Sequence, residues 1–232
     1  MCGRFTLQVA PELTAEIFGL PDIPALPARY NIAPSQQVAV IRRNNDGQNR
    51  LEMLRWGLIP SWAKDKTMGN SMINARAETV AEKPAFRSAI KYRRCLVLAS
   101  GFYEWKEEGG RKASYIVLRD GSPMVFAGLW ESWKSPEGEV TESCAILTTS
   151  SNKLMESLHE RMPVILHREE FALWLDRAVV DPELLAHLYQ PYPADMMAMY
   201  PVSQQVNSPN NDSPELIKPR DDSNSATGAV AS

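Results

Sequence analysis

The stretch CLVLASGFYEWK, from Cys95 to Lys106, decides the fold. β-Branched, aliphatic and aromatic side chains crowd it, and such residues pack well on a pleated, half-buried surface. Its tail alternates: Phe102 and Glu104 fall on one face of a strand, Tyr103 and Trp105 on the other. The segments that follow, SYIVLRDGSPMVFAGLW (114–130) and SCAILTT (143–149), have the same character. Glycine-containing turns at 109–110 and at Gly121 separate them. All three segments read as core strands.

Outward on the N-terminal side, VAVIRR and LEMLRW flank NNDGQN, in which Asp46-Gly47 is a strong turn signal, so residues 38–56 read as a hairpin. PELTAEIFGL opens on Pro11, spaces Leu13 and Ile17 one helical turn apart and meets Gly19 as a stop, which predicts a short helix. On the C-terminal side, helical spacing returns three times. It appears in SSNKLMESLHE (150–160) with a serine cap and Leu154 and Leu158 stacked, in REEFALWLD (168–176), and in DPELLAHLY (181–189) with Asp181 as cap and Pro182 in the first turn. Strands dominate the middle and helices are scattered, without strand–helix alternation. The expected class is α+β: a single domain with a predominantly antiparallel, barrel-like β core and peripheral helices.

The 232 residues, 44% of them hydrophobic, suffice for one domain with a substantial core. The last fourteen, Pro219 to Ser232, are small and polar and predict a disordered tail, leaving 1–218 as the folded unit. Cys2, Cys95 and Cys144 are odd in number and far apart, which suits neither a disulfide framework nor a metal knuckle and points to a reducing, cytoplasmic compartment. Neither a signal peptide nor eighteen consecutive apolar residues is visible, so no membrane association is expected. The net charge of -3 conceals a segregation. Residues 29–118 hold 16 Lys/Arg and 8 Asp/Glu, whereas the remainder holds 9 and 20. A basic central segment keeps a nucleic-acid face possible, although a mixed, solvated surface accounts for the same numbers.

The chemistry begins at MCGRF. Initiator methionine is usually excised before a small side chain, which would leave Cys2 with a free α-amine beside its thiol. With ordinary pKa values of about 7.7–8.0 and about 8.5, both nucleophiles are available near neutrality. With an aldehyde, the amine gives a Schiff base, and the sulfur can close on the imine carbon to form a five-membered thiazolidine. An internal cysteine cannot do this, because its nitrogen is an amide. Alone, a small residue after Met1 equally means nothing more than methionine excision.

Polar residues inside apolar segments add candidates. Glu104 shares its strand face with an aromatic ring, and partial desolvation would suit it to proton transfer; an exposed carboxylate paired with Lys106 is the alternative. His159, in LHERMPVIL beside Arg161, reads either as a proton donor near an anion-binding arginine or as a helix C-terminal cap. Asn74 and Arg76 in MINARAET share a strand face, as a carbonyl-and-phosphate pair would require. In WGLIPSWAKD, Trp56 reads as core, and Trp62, between Ser61 and Lys64, as an accessible ring able to stack on an unpaired base.

Taken together, MCGRF, YNIAPSQ, RWGLIPSWAKD, INARAET, LVLASGFYEWK, HERMPVIL and VNSPNNDSPELI, in that order to about Pro219, resemble the SRAP family. Members of that family begin Met-Cys-Gly-Arg and were once described as SOS-response peptidases. The resemblance implies a DNA-repair protein that forms a thiazolidine between N-terminal Cys2, after Met1 removal, and the ring-opened aldehyde of an abasic site in single-stranded DNA, strand junctions included. It implies that Asn74 orients the sugar, that Glu104 serves Schiff-base formation and proton shuttling, and that His159 protonates the sugar oxygen. Arg4, Arg76 and Arg161 would hold phosphates, and Trp62 would stack beside the lesion. No metal or other cofactor is implied, and a monomer is expected. Many members carry Lys or Arg where this chain has Asn210, which puts one phosphate contact in question.

Three other activities fit parts of the pattern. A mature N-terminal Cys-Gly also begins N-terminal-nucleophile amidohydrolases, in which the amine is the base and the thiol attacks an amide. Peptidase or autoproteolytic action, and non-covalent binding of single strands, are the others.

Overall fold

The computed structural model describes residues 2–20, 26–107 and 111–220. Twelve strands are found among them: β1 (Phe5–Leu7), β2 (Arg29–Ile32), β3 (Gln37–Arg43), β4 (Asn49–Trp56), β5 (Asn74–Arg76), β6 (Arg94–Ala99), β7 (Gly101–Glu107), β8 (Arg111–Leu118), β9 (Met124–Lys134), β10 (Val140–Ser150), β11 (Arg161–Pro163) and β12 (Met197–Pro201).

Five of them close on themselves. Around the ring β3 pairs with β4, β4 with β10, β10 with β9, β9 with β6, and β6 with β3. Every pairing is antiparallel except β4 with β10, where Cys144 lies beside Trp56 in parallel. Closure removes the free edges that an open sheet would present. The barrel is packed tightly. A side chain at Gly128 of β9 would meet the Cys95 sulfur and a Val97 methyl, each at 2.8 Å, so the strand tolerates only hydrogen there. Cys95 and Cys144 are fully buried in this core, and burial pushes both thiols up, Cys144 to about 12. They are inert packing residues.

A second, wholly antiparallel sheet, ordered β12-β8-β7-β1-β2, packs against one end of the barrel. The alternation in GFYEWKE makes this possible. Phe102 joins the barrel core, its ring 6.1 Å from Phe126, while Tyr103 belongs to a smaller cluster with Tyr115, Val206 and Leu216 on the other face. Phe5 of β1 bridges the two layers, edge-on to Trp56 at 5.0 Å and to Phe126 at 5.9 Å.

The hairpin at 38–56 and the turn at Gly121 form as the sequence predicts, with Gly47 at φ 79° and Gly121 at φ 74°. The expected turn at 109–110 lies outside the described residues. The first helix, α1 (Pro11–Phe18), ends on Gly19 in the left-handed conformation, φ 61°.

The three C-terminal helices take other forms. Residues 151–160 make successive turns, with Asn152 and not a serine capping the Leu154 and Met155 N–H groups at 3.1 and 3.0 Å. Ser150 of β10 is paired with Arg161 of β11, so the intervening ten residues must return to their starting point. A straight helix of that length would carry the chain about 15 Å away. REEFALWLD forms a 3₁₀ turn (Arg168–Glu170) and a single α-turn (Phe171–Trp174). In DPELLAHLY, Asp181 caps Glu183 N–H at 3.0 Å as expected, but Pro182–Tyr189 winds as a 3₁₀ helix. That winding brings residues i and i+3 into line, and here Leu185 and Leu188 are the buried pair.

Pro219 and Arg220, expected in the tail, are tied to the end of β12. Pro219 bridges Val202, and Arg220 N–H donates to the Pro201 carbonyl at 2.8 Å. The rest of the expected tail, 221–232, lies outside the described residues. Among the described residues no helix is long and apolar enough to cross a membrane.

Candidate functional site

Cys2 lies where β1 enters the second sheet. The β1–β7 register, Phe5 opposite Phe102, runs on toward the N-terminus, where Tyr103 N–H donates to the Arg4 carbonyl at 2.9 Å. That register sets residues 2–4 against the part of β7 that carries Glu104. Cys2 is fully buried and Glu104 is 4% exposed, so Glu104 is no surface carboxylate. Burial pushes the Cys2 thiol far above its ordinary range, and the Glu104 charge raises it further, while the Arg4 N–H, bonded toward the sulfur, works in the opposite sense. The sulfur is therefore a protonated thiol beside a buried carboxylate.

Asn74 closes the other side. Its side-chain N–H donates to the Cys2 carbonyl at 2.9 Å, and its Oδ1 is buried with no hydrogen-bond partner among the described residues. An unpaired buried acceptor costs about 1–3 kcal/mol, a cost commonly tolerated where a ligand supplies the donor. β5 places Asn74 and Arg76 beside β10, opposite Ile146 and Thr148, and β11 lies on the other edge of the same strand. Arg76 is exposed and forms no ion pair among the described residues. Arg161 is occupied: it makes a two-pronged pair with Glu78, at 2.6 and 2.9 Å, and donates to the Thr148 carbonyl at 2.6 Å. His159, two residues before it, is half-buried, and its Nδ1 accepts from Arg161 N–H at 3.0 Å. The neutral ring consequently carries its proton on Nε2 and can donate it. There is no helix for it to cap, since residues 153–158 form turns.

Trp62 is 56% exposed, and Trp56 is buried with its indole N–H on the Ile73 carbonyl at 2.9 Å. The loop that presents Trp62 is rigidly held: Ile59 N–H donates to the Ser143 hydroxyl at 2.8 Å, and the Trp133 indole to the Ala63 carbonyl at 2.8 Å. Sequence reasoning missed both anchors, because each joins segments far apart in the chain.

Arg4, expected at a phosphate, is 8% exposed and committed to protein. It donates to Asn31 Oδ1 at 2.8 Å and to the Val206 carbonyl at 2.9 Å, and its guanidinium lies 5.7 Å from the centre of the Trp105 ring. Asn31, passed over in the sequence, donates in turn to the carbonyls of Ser208 and Asn211 at 3.0 and 2.7 Å. Together they pin the 206–212 loop against the N-terminal segment that carries Cys2. The only sequence signal was the unusual polarity of Asn31 beside Ile32. Asn210 is exposed on that loop.

The structure thus brings Cys2, Asn74 and Glu104 together, sets Arg76 and Arg161 on the neighbouring strands β5 and β11, and leaves His159 just ahead of β11. A solved structure from Bacteroides thetaiotaomicron superimposes with a TM-score of 0.84 at 26% identity, covering 94% of this chain and all of that one. The abasic site processing protein YoqW of Bacillus subtilis is 48% identical over 94% of this chain and 99% of its own length. The abasic site processing protein HMCES of Gallus gallus is 33% identical, covering 82% of this chain and 66% of its own length. The family model described as SOS response associated peptidase matches residues 1–209, and the chain belongs to that SRAP family.

Proposed function

We propose that this protein processes abasic sites by capturing them covalently, through a thiazolidine formed by Cys2 once Met1 has been removed. The observation that carries this reading is the burial of a second-position thiol between a carboxylate, Glu104, and an amide, Asn74, that holds the Cys2 carbonyl.

The chemistry runs in two steps, a condensation and then a ring-closing addition. The α-amine of Cys2 adds to the aldehyde carbon of the opened sugar, and loss of water leaves an imine. The sulfur then adds to that carbon as its proton passes to the nitrogen, so the sum is aminothiol plus aldehyde giving thiazolidine plus water. A thiol held protonated by its surroundings suits this order, because the amine attacks first and Glu104 then relays the S–H proton to the nitrogen. Asn74 Oδ1 is the acceptor for a sugar hydroxyl. His159, with its proton on Nε2, serves the sugar oxygen during ring opening. Arg76 takes a phosphate directly, Arg161 exchanges Glu78 for one, and Arg4 acts by holding the segment that carries Cys2. Single strands and strand junctions are the preferred DNA, since Trp62 must replace a stacked neighbour.

Denaturing gels of the mature protein with abasic single-stranded oligonucleotides test this. A covalent species that survives without borohydride is expected from wild type and not from Cys2→Ala. An equal yield from Cys2→Ala would overturn the mechanism.

A further inference from the structure

We propose that the end of the barrel remote from Cys2 carries a second binding site, one for a nucleoside phosphate. β3 ends, and β4, β6 and β10 begin, at this end, whereas Trp56, Ala99 and Thr148 mark the end near Cys2. A seven-residue strand sets the two about 20 Å apart.

The remote end opens into a cleft of about 440 Å³ lined by five arginines and only two carboxylates. Both carboxylates, Glu52 and Glu142, are spent on Arg42, which also lies 4.2 Å from the centre of the Trp130 ring. Arg94 is buried and donates to the carbonyls of Trp174, Ile90, Lys91 and Asp176, so it builds the wall. Arg93 pairs with Glu131 at 2.7 Å, but its Nε is buried without a partner. Arg43 and Arg177 remain: each lines the cleft, each donates to an asparagine side chain, Asn49 at 3.3 Å and Asn45 at 2.5 Å, and neither has a carboxylate within ion-pair distance among the described residues. Two guanidinium forks with unspent donors recognise phosphate oxygens well. Beside them Tyr92 is 53% exposed and lines the cleft, an aromatic side chain on which a base can stack. Phosphate donors next to an open aromatic ring select a nucleoside phosphate over a bare anion. The ligand is either a free nucleotide or one residue of a nucleic-acid strand.

Calorimetric titration of the full chain with deoxyadenosine triphosphate, inorganic pyrophosphate and an intact thymidine oligonucleotide tests the assignment. Saturable binding of the nucleotide is expected, weakened at least about tenfold in Arg43→Ala/Arg177→Ala. Tyr92→Ala should weaken nucleotide binding while leaving pyrophosphate binding as it was. If the oligonucleotide displaces the nucleotide, the natural ligand is a strand; if it does not, a free nucleotide. The assignment is overturned if nothing saturates by about 1 mM, if the double variant binds like wild type, or if Arg76→Ala abolishes binding instead. Crosslinking at Cys2, measured on the same variants, keeps a failure here distinct from a failure of the proposed function.

Discussion

At the scale of single residues, Cys2 and Glu104 are coupled through charge, and that coupling makes two opposite predictions for one substitution. Glu104→Gln removes a negative charge that raises the thiol, so the pH midpoint for alkylation of Cys2 should fall. Crosslinking should slow all the same, by about 10²- to 10⁴-fold, if the proposed proton relay through Glu104 operates. Iodoacetamide labelling across pH, run beside crosslinking rates, separates the two. If crosslinking keeps its rate from pH 5 to 8 in the variant, Glu104 has no part in proton transfer. His159→Ala should change the rate of formation or of reversal more than DNA affinity. A strand's period of two placed Glu104 beside Phe102 but left burial and an exposed pairing with Lys106 both open, and the structure buries it. The fates of Arg4 and Arg161 were not legible in the sequence, since their partners, Asn31, Val206 and Glu78, are distant in the chain and sequence spacing says nothing of them.

Among the elements, the loop from Trp56 to Asp65 depends on two glycines. Gly57 adopts φ 122°, and a methyl group on it would meet the Gly69 carbonyl oxygen at 2.5 Å and an Arg55 nitrogen at 2.8 Å. Gly57→Ala should therefore cost about 2 kcal/mol or more and lower the melting temperature, as read by thermal denaturation. Trp62→Ala should leave stability nearly unchanged, since the ring is exposed, and weaken the preference for single strands over duplex. Equal crosslinking of a fully paired duplex, unaffected by this change, would count against the stacking role. Elements with local signals were legible: the 38–56 hairpin from Asp46-Gly47, and α1 from Pro11 and Gly19. Residues 150–160 misled because leucine spacing is shared by a helix and by a chain of turns, and only the β10–β11 pairing distinguishes them.

For the whole molecule, the segregation of charge along the sequence becomes a spatial arrangement. The basic segment, 29–118, supplies Arg76 near Cys2 and four of the five arginines at the opposite end of the barrel. Binding to intact single strands should weaken with salt, and Arg76→Ala should reduce the slope of log K against log salt by about 0.7, the value for one phosphate contact on a single strand. An unchanged slope would remove Arg76 from the interface. The barrel-like, predominantly antiparallel core was legible from the run of strands, but the parallel β4–β10 contact that shuts it was not, since it joins residues some ninety positions apart. Covalent capture through a free Cys2 amine is tested most directly by intact mass spectrometry on two preparations, one verified to lack Met1 and one verified to retain it, each mixed with an abasic single strand. The mature protein should gain the mass of the oligonucleotide less one water and keep it under denaturing conditions. The Met1-bearing protein should bind without forming a thiazolidine, because its Cys2 nitrogen is an amide and the Met1 amine is too far from the sulfur to close a five-membered ring. A stable thiazolidine on the Met1-bearing chain would contradict the mechanism.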